Sequence, residues 1–466
     1  MASVTTHQPP AGTEPGARAD AAERLRQKLE RRQVNRILHG FPSPRLWTQE
    51  PFDVDAALAR RAPGAPMTLY VGLPYCIRTN PGRCGYCLFP VEVFRGADTI
   101  DAYLDLLEAE GALYREAFAG EAPQSIYVGG GTPNLMRPAQ YLRFMDIVRD
   151  LFPAISSETT ITMEGIPQLF TAEKLAAMRD GGVNRISIGV QQLNYDLNRL
   201  SGRKQTEKHV IDSIRWAQDL GLQINADLIF GWPQQTLKTM RSDMQRLIDT
   251  GIDHITHYEL NVGGATDFAL NRRGELPSRA ETLEMYRVAR DMLGAAGFQQ
   301  LTSYDFQRRD DRYNYEECRR DFAPTAALGW GFAAVSDYVG ADGQSWSMIN
   351  HRTVAAYGEA VQSGARPMER AFLRSPEERR MHELFRHLQG LRIDRGAYRA
   401  AFGLDVVAEH AALWDAFAEA GWCDIGDDAI TLVGDGGYYV PTMQALLSEG
   451  LVATIRDRRD TVHLAV

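Results

Sequence analysis

The sequence predicts an α/β fold: an open or partial barrel of six strand–helix units, followed by a small helical, winged-helix-like domain. Three observations predict it. From Met67 to Ala296, short apolar runs alternate with longer amphipathic helical patterns. Such alternation demands parallel strands joined by right-handed helical crossovers. Each helical pattern runs into a Gly or Asp before the next strand, the residues that end helices. After about residue 365 the alternation gives way to shorter amphipathic segments.

Residues 1–20 are rich in Pro, Gly, Thr and Ala with no apolar run, and read as a disordered tail, not a secretory signal. Residues 21–66 read as a helix and a linker. The segment 21–38 carries Leu25, Leu29 and Ile37 on one stripe among alternating charges, so it should dock on something downstream. His39 to Trp47 is a Pro-rich aromatic linker. The barrel and its extension should span 67–365, with strands at 68–72, 125–128, 159–163, 185–190, 224–230 and 255–260, and a further edge strand at 299–304. Helical patterns at 100–117, 139–151, 172–180, 208–220, 237–249 and 279–296 separate and follow them. Residues 366–466 should form an accessory domain, with helical segments at 375–389, 394–402, 406–420 and 439–451 and short β pieces at 421–432 and 452–464. It shows no basic recognition helix, so a cover or docking module is expected, not a DNA reader.

The 466-residue chain is 44% hydrophobic and 24% charged, an ordinary globular composition with room for two or three domains. Its formal net charge of -9 gives no footprint for nucleic acid. No apolar run approaches the roughly 18 residues of a membrane span. Five cysteines in a chain this long make no disulfide framework, so a cytoplasmic monomer is expected. Cys318 and Cys423 are expected as small buried hydrophobes.

The other three cysteines fall in Cys76-Ile-Arg-Thr-Asn-Pro-Gly-Arg-Cys84-Gly-Tyr-Cys87, directly after the first strand. The C-terminal rim of a strand–helix barrel is where functional residues sit. Three thiolates are one short of the four that a closed zinc or ordinary iron–sulfur site takes. A 4Fe-4S cube held by them keeps one iron open to a small chelate, such as the amino and carboxylate groups of a methionine moiety. Zinc would need a further ligand, for which the remote His254 and His257 are the candidates. The other strand ends carry Gly129-Gly130-Gly131-Thr132-Pro133, Glu164, Gln191 and Asp227. Singly these are unremarkable: a glycine triplet is a tight turn, Glu164 a surface carboxylate, Arg203 in Leu-Ser-Gly-Arg-Lys a solvated arginine. Their meeting at one rim points to a ligand, because glycines let a backbone approach closely.

Gly-Gly-Gly-Thr-Pro (129–133), Gly-Val-Asn-Arg-Ile-Ser-Ile-Gly-Val-Gln (182–191), Leu-Ser-Gly-Arg (200–203) and Asp-Leu-Ile-Phe-Gly-Trp-Pro (227–233) stand in register. The run from Tyr70 to about Tyr357 resembles the oxygen-independent coproporphyrinogen oxidase family (HemN/HemW-like) of radical S-adenosylmethionine enzymes, and the C-terminal region resembles that family's accessory domain. The resemblance implies a partial (β/α)6 radical-SAM barrel and a 4Fe-4S cluster on Cys76, Cys84 and Cys87 that reductively cleaves S-adenosylmethionine to a 5′-deoxyadenosyl radical. It also implies an external one-electron donor such as flavodoxin or ferredoxin. Carried over by position, Tyr70, Gly130 and Glu164 contact the cluster-bound S-adenosylmethionine. Tyr86, Gly131, Thr132, Gln191, Arg203 and Asp227 line a neighbouring pocket, which in some members holds a second S-adenosylmethionine.

Three features depart from the family pattern. Its cysteines are spaced Cys-x3-Cys-x2-Cys, whereas seven residues separate Cys76 from Cys84 here. Asn80-Pro81-Gly82 reads as an inserted turn, and the longer loop still closes because loop length costs little free energy. The His-Asn-x-x-Tyr-Trp string of the heme-carrying branch is replaced by Tyr313-Asn-Tyr-Glu-Glu-Cys-Arg-Arg-Asp-Phe322. Glu164 is followed by Gly-Ile-Pro. A retained second pocket with a divergent rim leads us to expect one-carbon transfer from a second S-adenosylmethionine, methylation or cyclopropanation at an sp2 carbon of a small molecule. Oxidative decarboxylation of a porphyrinogen is the alternative, and a heme-binding chaperone a third reading of another class. Tyr258, Asn261, Tyr304, Asp305 and Trp330 are the candidate substrate-rim residues.

Overall fold

The computed structural model describes residues 15–33, 40–50, 52–62, 64–308 and 322–464. In chain order the strands that build the barrel and its surroundings are β1 (Met67–Leu73), β2 (Tyr75–Cys76), β3 (Glu92–Val93), β4 (Ser125–Gly130), β5 (Thr160–Gly165), β6 (Arg185–Gln191), β7 (Gln223–Phe230), β8 (His254–Glu259), β9 (Phe298–Gln300), β10 (Asp305–Arg308), β11 (Ala326–Gly331), β12 (Val335–Val339), β13 (Ser345–Asn350) and β14 (Met368–Arg374). All but β2 and β3 join one sheet in the order β14-β13-β12-β11-β1-β4-β5-β6-β7-β8-β10-β9.

The six central strands β1, β4, β5, β6, β7 and β8 run parallel in sequence order. Helices Ala97–Tyr114, Pro138–Leu151, Ala172–Asp180, Glu207–Asp219, Leu237–Ile248 and Arg279–Ala295 alternate with them. This is the partial (β/α)6 barrel that the alternation predicts. Thr171, Thr206, Thr236 and Ser278 cap four of the helices through their hydroxyls, satisfying amide groups that a helix start otherwise leaves free. Along the strands Ile161, Met163, Ile186, Ile188, Ile224 and Ala226 pack into the core. The alternate Thr162, Ser187, Asn225 and Thr256 are buried polar groups that point the other way, as the two-residue strand period requires.

The edges depart from expectation. The strand expected at 299–304 is broken into β9 and β10, because Leu301 N–H reaches back to the Asp305 carbonyl and the Thr302 hydroxyl donates to Asp305 Oδ2 at 2.9 Å, forming a turn. On the opposite side β11 lies parallel to β1, and β12 to β14 continue as an antiparallel meander. The sheet therefore runs to Arg374, past the expected boundary at 365. Beyond it, helices from Pro376–Gln389 to Val440–Leu447 and a small three-stranded sheet enclose a core of Leu384, Phe385, Leu388, Trp414, Phe417, Trp422 and Met443.

Residues 452–464, expected as β, lie in the helix Glu449–Leu464. The run Arg456-Asp457-Arg458-Arg459 would load both faces of a strand with charge. In the helix Ile455 turns inward and Arg458 pairs with Glu378. The N-terminal helix is Pro15–Leu29, beginning earlier than the expected 21–38. It docks on the C-terminal domain through buried Ala21 and Leu25 and through Arg18, 3.0 Å from Asp415. The end of the expected helix at 34–38 and Cys318 lie outside the described residues. Cys423 is buried, as expected. Among the described residues no helix is long and apolar enough to cross a membrane.

Candidate functional site

The site begins where β1 hands the chain to Cys76. β4 runs beside β1 with Gly130 opposite Leu73. Gly131 N–H donates to the Leu73 carbonyl at 2.6 Å and Thr132 N–H to the Tyr75 carbonyl at 2.8 Å. A Cβ on Gly131 would stand 2.5 Å from the Tyr75 carbonyl oxygen, and one on Gly130, where φ is +101°, 2.7 Å from that of Leu73. The triplet is thus a clamp holding the Cys76 segment against β4, and only glycine permits the approach. It also sets the Thr132 hydroxyl 3.2 Å from Cys76 Sγ.

The inserted turn after Cys76 has its own seat. The Thr79 hydroxyl closes it on the Pro81 carbonyl at 2.6 Å. A Cβ on Gly202, whose φ is +85°, would meet the Asn80 carbonyl oxygen at 2.7 Å. Gly85 N–H donates to the Ser201 carbonyl at 3.0 Å. The Leu-Ser-Gly-Arg string therefore carries the cysteine loop. Its Arg203 is no solvated arginine: Nε donates to Gln205 Oε1 (2.8 Å), Nη1 to Tyr86 Oη (2.9 Å) and Nη2 to the Gly189 carbonyl (2.5 Å). With Tyr86 packed on Trp232 at 5.0 Å, the pair clips the Cys84–Cys87 turn to the barrel wall. Gln191, at φ 64°, sits at a register shift between β6 and β7.

Two carboxylates face this region. Glu164 is pushed up to about 8, first by burial and then by the Asp227 charge, against the pull of Arg203 and of a hydrogen bond from Gly130 N–H. Its Oε2 lies 2.7 Å, and Tyr70 Oη 3.2 Å, from where a Gly129 side chain would begin, so Tyr70, Gly130 and Glu164 do come together. Tyr70 stacks on Tyr127 at 6.1 Å. Asp227, also raised by burial, accepts from Ser187 Oγ at 2.9 Å and Asn225 Nδ2 at 2.8 Å. Behind it Thr256 Oγ1 contacts Asn225 and Asp305, and His254 bridges Asp305 and Arg185.

The sequence reading missed Ser187, Asn225 and Thr256. Asn225 was findable, since it shares a strand face with Asp227 two residues on. The short helix Asp267–Asn271 also came without a signal beyond its Thr266 cap. It forms the far wall of a cavity of about 470 Å³ lined by Cys76, Cys84 and the inserted Ile77, Pro81 and Arg83. Among the substrate-rim candidates, Trp330 is fully buried core and donates to the Leu107 carbonyl at 3.1 Å; its bulk and strand position bury it under the Ala97–Tyr114 helix. Asp305 belongs to the polar network beneath Asp227. Tyr258 and Tyr304 pack together at 4.7 Å and line, with His257, a small cavity beneath the C-terminal domain. Asn261 is half-buried.

The donor set suits a cluster. Burial pushes the Cys76 thiol up to about 12, with Cys87 and Cys84 close enough to add to the shift against the Thr132 hydrogen bond. Yet among the described residues no three His, Cys, Asp or Glu groups are gathered as a single metal ion requires. Three thiols grouped but not converged, beside a roomy cavity, fit a cube of several irons better than one zinc. His254 is committed to Arg185 and Asp305.

The Radical SAM superfamily matches residues 75–247. Oxygen-independent coproporphyrinogen III oxidase of Salmonella typhimurium is 28% identical over 394 residues, 81% of this chain and 84% of that protein. The chain resembles the HemN/HemW-like family and carries a radical SAM segment. Heme chaperone HemW of Bacillus subtilis is 31% identical over 244 residues, 51% of this chain and 63% of its own. The solved coproporphyrinogen III oxidase HemN of Escherichia coli shares the fold, with a TM-score of 0.77 at 24% identity, covering 89% of this chain and 99% of its own. Radical SAM enzymes, whose superfamily the segment 75–247 matches, use a 4Fe-4S cluster and S-adenosylmethionine and need a reductant.

Proposed function

We propose that this enzyme uses S-adenosylmethionine radical chemistry for an oxidative decarboxylation of the coproporphyrinogen type. The observation that carries the reading is a cysteine loop, glycine clamp and carboxylate pair on one barrel rim, in a chain similar over 81% of its length to a protein named for that reaction. One-carbon transfer, the first expectation from the sequence, becomes the second reading. What keeps it is the inserted turn, which lines the cavity beside Cys76 and Cys84 and changes what the site presents to a substrate.

In this reading Cys76, Cys84 and Cys87 hold the cluster, which when bound supplies the electron that cleaves S-adenosylmethionine. Thr132 Oγ1 is placed to donate to the Cys76 thiolate. Glu164, raised to about 8, gives up its proton to bind a ligand ammonium, because a nearby cation favours the ionised carboxylate. Asp227, its two oxygens already oriented by Ser187 and Asn225, is preorganised to accept from a ligand hydroxyl. Arg203 holds the loop in place and leaves the binding to its neighbours.

The test is anaerobic reconstitution followed by incubation with coproporphyrinogen III, S-adenosylmethionine and a reductant. Carbon dioxide release that is lost in Cys84→Ala is the expected result. Cleavage of S-adenosylmethionine without carbon dioxide release overturns the decarboxylation. Label passing from methyl-deuterated S-adenosylmethionine into 5′-deoxyadenosine during turnover would establish one-carbon transfer instead. Heme binding without cleavage would favour a carrier; of the string at 313–322 that bears on this, only Phe322 lies among the described residues, stacked on His387 at 3.7 Å.

A further inference from the structure

One face of the central strands carries polar groups where a core would otherwise be aliphatic. Arg185 and Ser187 on β6, Asn225 on β7, His254 and Thr256 on β8 and Asp305 at the start of β10 are each 5% exposed or less. The strand register lines them up: Ser187 lies opposite Asn225, Asn225 opposite His254, and Thr256 opposite both Asp227 and Asp305. Asp227, to which they lead, is half-buried. The hydrogen bonds have a direction. The Arg185 guanidinium can only donate, and its Nη2 lies 2.9 Å from His254 Nδ1. The ring proton therefore sits on Nε2 and is donated to Asp305 Oδ1 at 3.1 Å. The Thr302 hydroxyl donates to Asp305 Oδ2 at 2.9 Å, so both oxygens of Asp305 are served. Thr256 Oγ1 stands 2.9 Å from Asp305 Oδ1 and 3.1 Å from Asn225 Oδ1, with one proton to give. His254 leaves that proton for Asn225. The Asn225 amide is thereby oriented, its oxygen to Thr256 and its Nδ2 to Ser187 Oγ at 2.9 Å and Asp227 Oδ1 at 2.8 Å. Ser187 Oγ donates in turn to Asp227 Oδ2 at 2.9 Å.

We propose that Thr256 is a positioning residue for ligand recognition, held in that role by the His254–Asp305 pair. Through Asn225 it fixes the lone pairs with which Asp227 receives a hydroxyl-bearing ligand such as a ribose. The proposal rests on the reading of Asp227 as a ligand contact. Stability alone does not account for the network, because hydrophobic side chains of similar volume are often at least as stable as a buried charge pair. Orientation does account for it. A carboxylate that turns freely meets a donor from any side. One with an oxygen committed to Asn225 and the other to Ser187 offers its remaining lone pairs in set directions. A site built in this way rejects an analogue that lacks the matching hydroxyl. Thr256 touches no ligand: it is 2% exposed and acts through Asn225. Removing His254 would let Asp305 draw the Thr256 proton to itself and leave the Asn225 oxygen without its donor.

The full chain is reconstituted anaerobically and kept without reductant, so that no cleavage occurs. Calorimetry then compares the affinity for S-adenosylmethionine with that for its 2′-deoxy and 3′-deoxy analogues. The variants are Thr256→Val, which keeps the shape and removes the hydroxyl, Thr256→Ser, which restores it, His254→Leu and Asp227→Asn. The natural chain should prefer S-adenosylmethionine to at least one analogue by about tenfold. A fall of that preference to about threefold or less in Thr256→Val and His254→Leu, with rescue in Thr256→Ser, supports the proposal. A preference retained in Thr256→Val overturns it, even where all three affinities fall equally, since an equal fall is what a merely structural role gives. Loss in Thr256→Ser as well overturns it, and a preference retained in folded His254→Leu removes the His254–Asp305 pair from it. If His254→Leu does not fold, Thr256→Val against Thr256→Ser decides alone. No preference in the natural chain, or one that Asp227→Asn leaves intact, removes the reading of Asp227 and the proposal with it.

Discussion

Gly131→Ala is the sharpest test of how the glycine triplet works. The added Cβ would lie 2.5 Å from the Tyr75 carbonyl oxygen, 2.8 Å from its carbonyl carbon and 3.0 Å from that of Pro74, where ordinary contact begins at 3.4 Å. All three atoms are backbone, so no side chain can swing aside, and β4 must withdraw from the Cys76 segment by about 1 Å. That withdrawal stretches the hydrogen bonds from Gly131 N–H to Leu73 and from Thr132 N–H to Tyr75 and draws Thr132 away from Cys76. Overpacking costs about 1–3 kcal/mol and two weakened backbone hydrogen bonds about 1 kcal/mol each, so a loss of about 3 kcal/mol in urea unfolding is expected. Iron and sulfide content after anaerobic reconstitution should fall well below that of the natural protein. Gly82→Ala, in the same loop with nothing within 4 Å of the added carbon, is the control and should change neither. Full cluster loading with unaltered stability in Gly131→Ala would refute the clamp.

Other perturbations probe different contacts. Arg203→Lys cannot reach Tyr86, Gly189 and Gln205 together; about 2–3 kcal/mol of local stability should be lost, read as faster amide exchange around Cys84 to Cys87, and unchanged exchange there would contradict the clip. Asp227→Asn removes the charge that helps push Glu164 up and the acceptor that Ser187 and Asn225 orient; S-adenosylmethionine binding by calorimetry should weaken about tenfold, and equal affinity would remove Asp227 from the ligand's surroundings. Buried Glu110, which accepts from Gly331 N–H, Tyr357 and Asn350, is pushed by burial from 4.5 up to about 7. The folded state therefore keeps this proton to higher pH than the unfolded chain, and the contribution of Glu110 to stability falls by about 3 kcal/mol as pH rises from about 4.5 to 7 and is level above. The difference in urea stability between the natural chain and Glu110→Gln should follow that fall; a difference independent of pH would refute it.

Much of the barrel was legible because its signals are local. Strand and helix periods, caps and terminating glycines depend on residues within a few turns of one another, and the six central strands match their expected positions within a few residues. The meander β11 to β14 was not legible: Trp330, Tyr338 and Trp346 read as scattered aromatics until the sheet buries them. Nor was the turn between β9 and β10, where a single Thr302–Asp305 pair breaks what looks like one strand. At the site, the cysteines and the ends of β4, β5 and β7 could be placed, since strand ends fall on one rim by topology.

The sequence by itself determined the chemistry on offer: three thiols in one loop, a glycine triplet, and acidic and amide side chains at successive strand ends. Only the tertiary structure decided what each does. It made Arg203 a clip to Tyr86 across 117 residues, seated the inserted turn on Gly202, and buried Glu164 where desolvation and the Asp227 charge raise the cost of its ionisation. It turned Trp330 into core. The physical reason is the range of the forces involved. Secondary structure answers to neighbours along the chain, whereas burial, desolvation and charge pairing are properties of the space that distant segments enclose together.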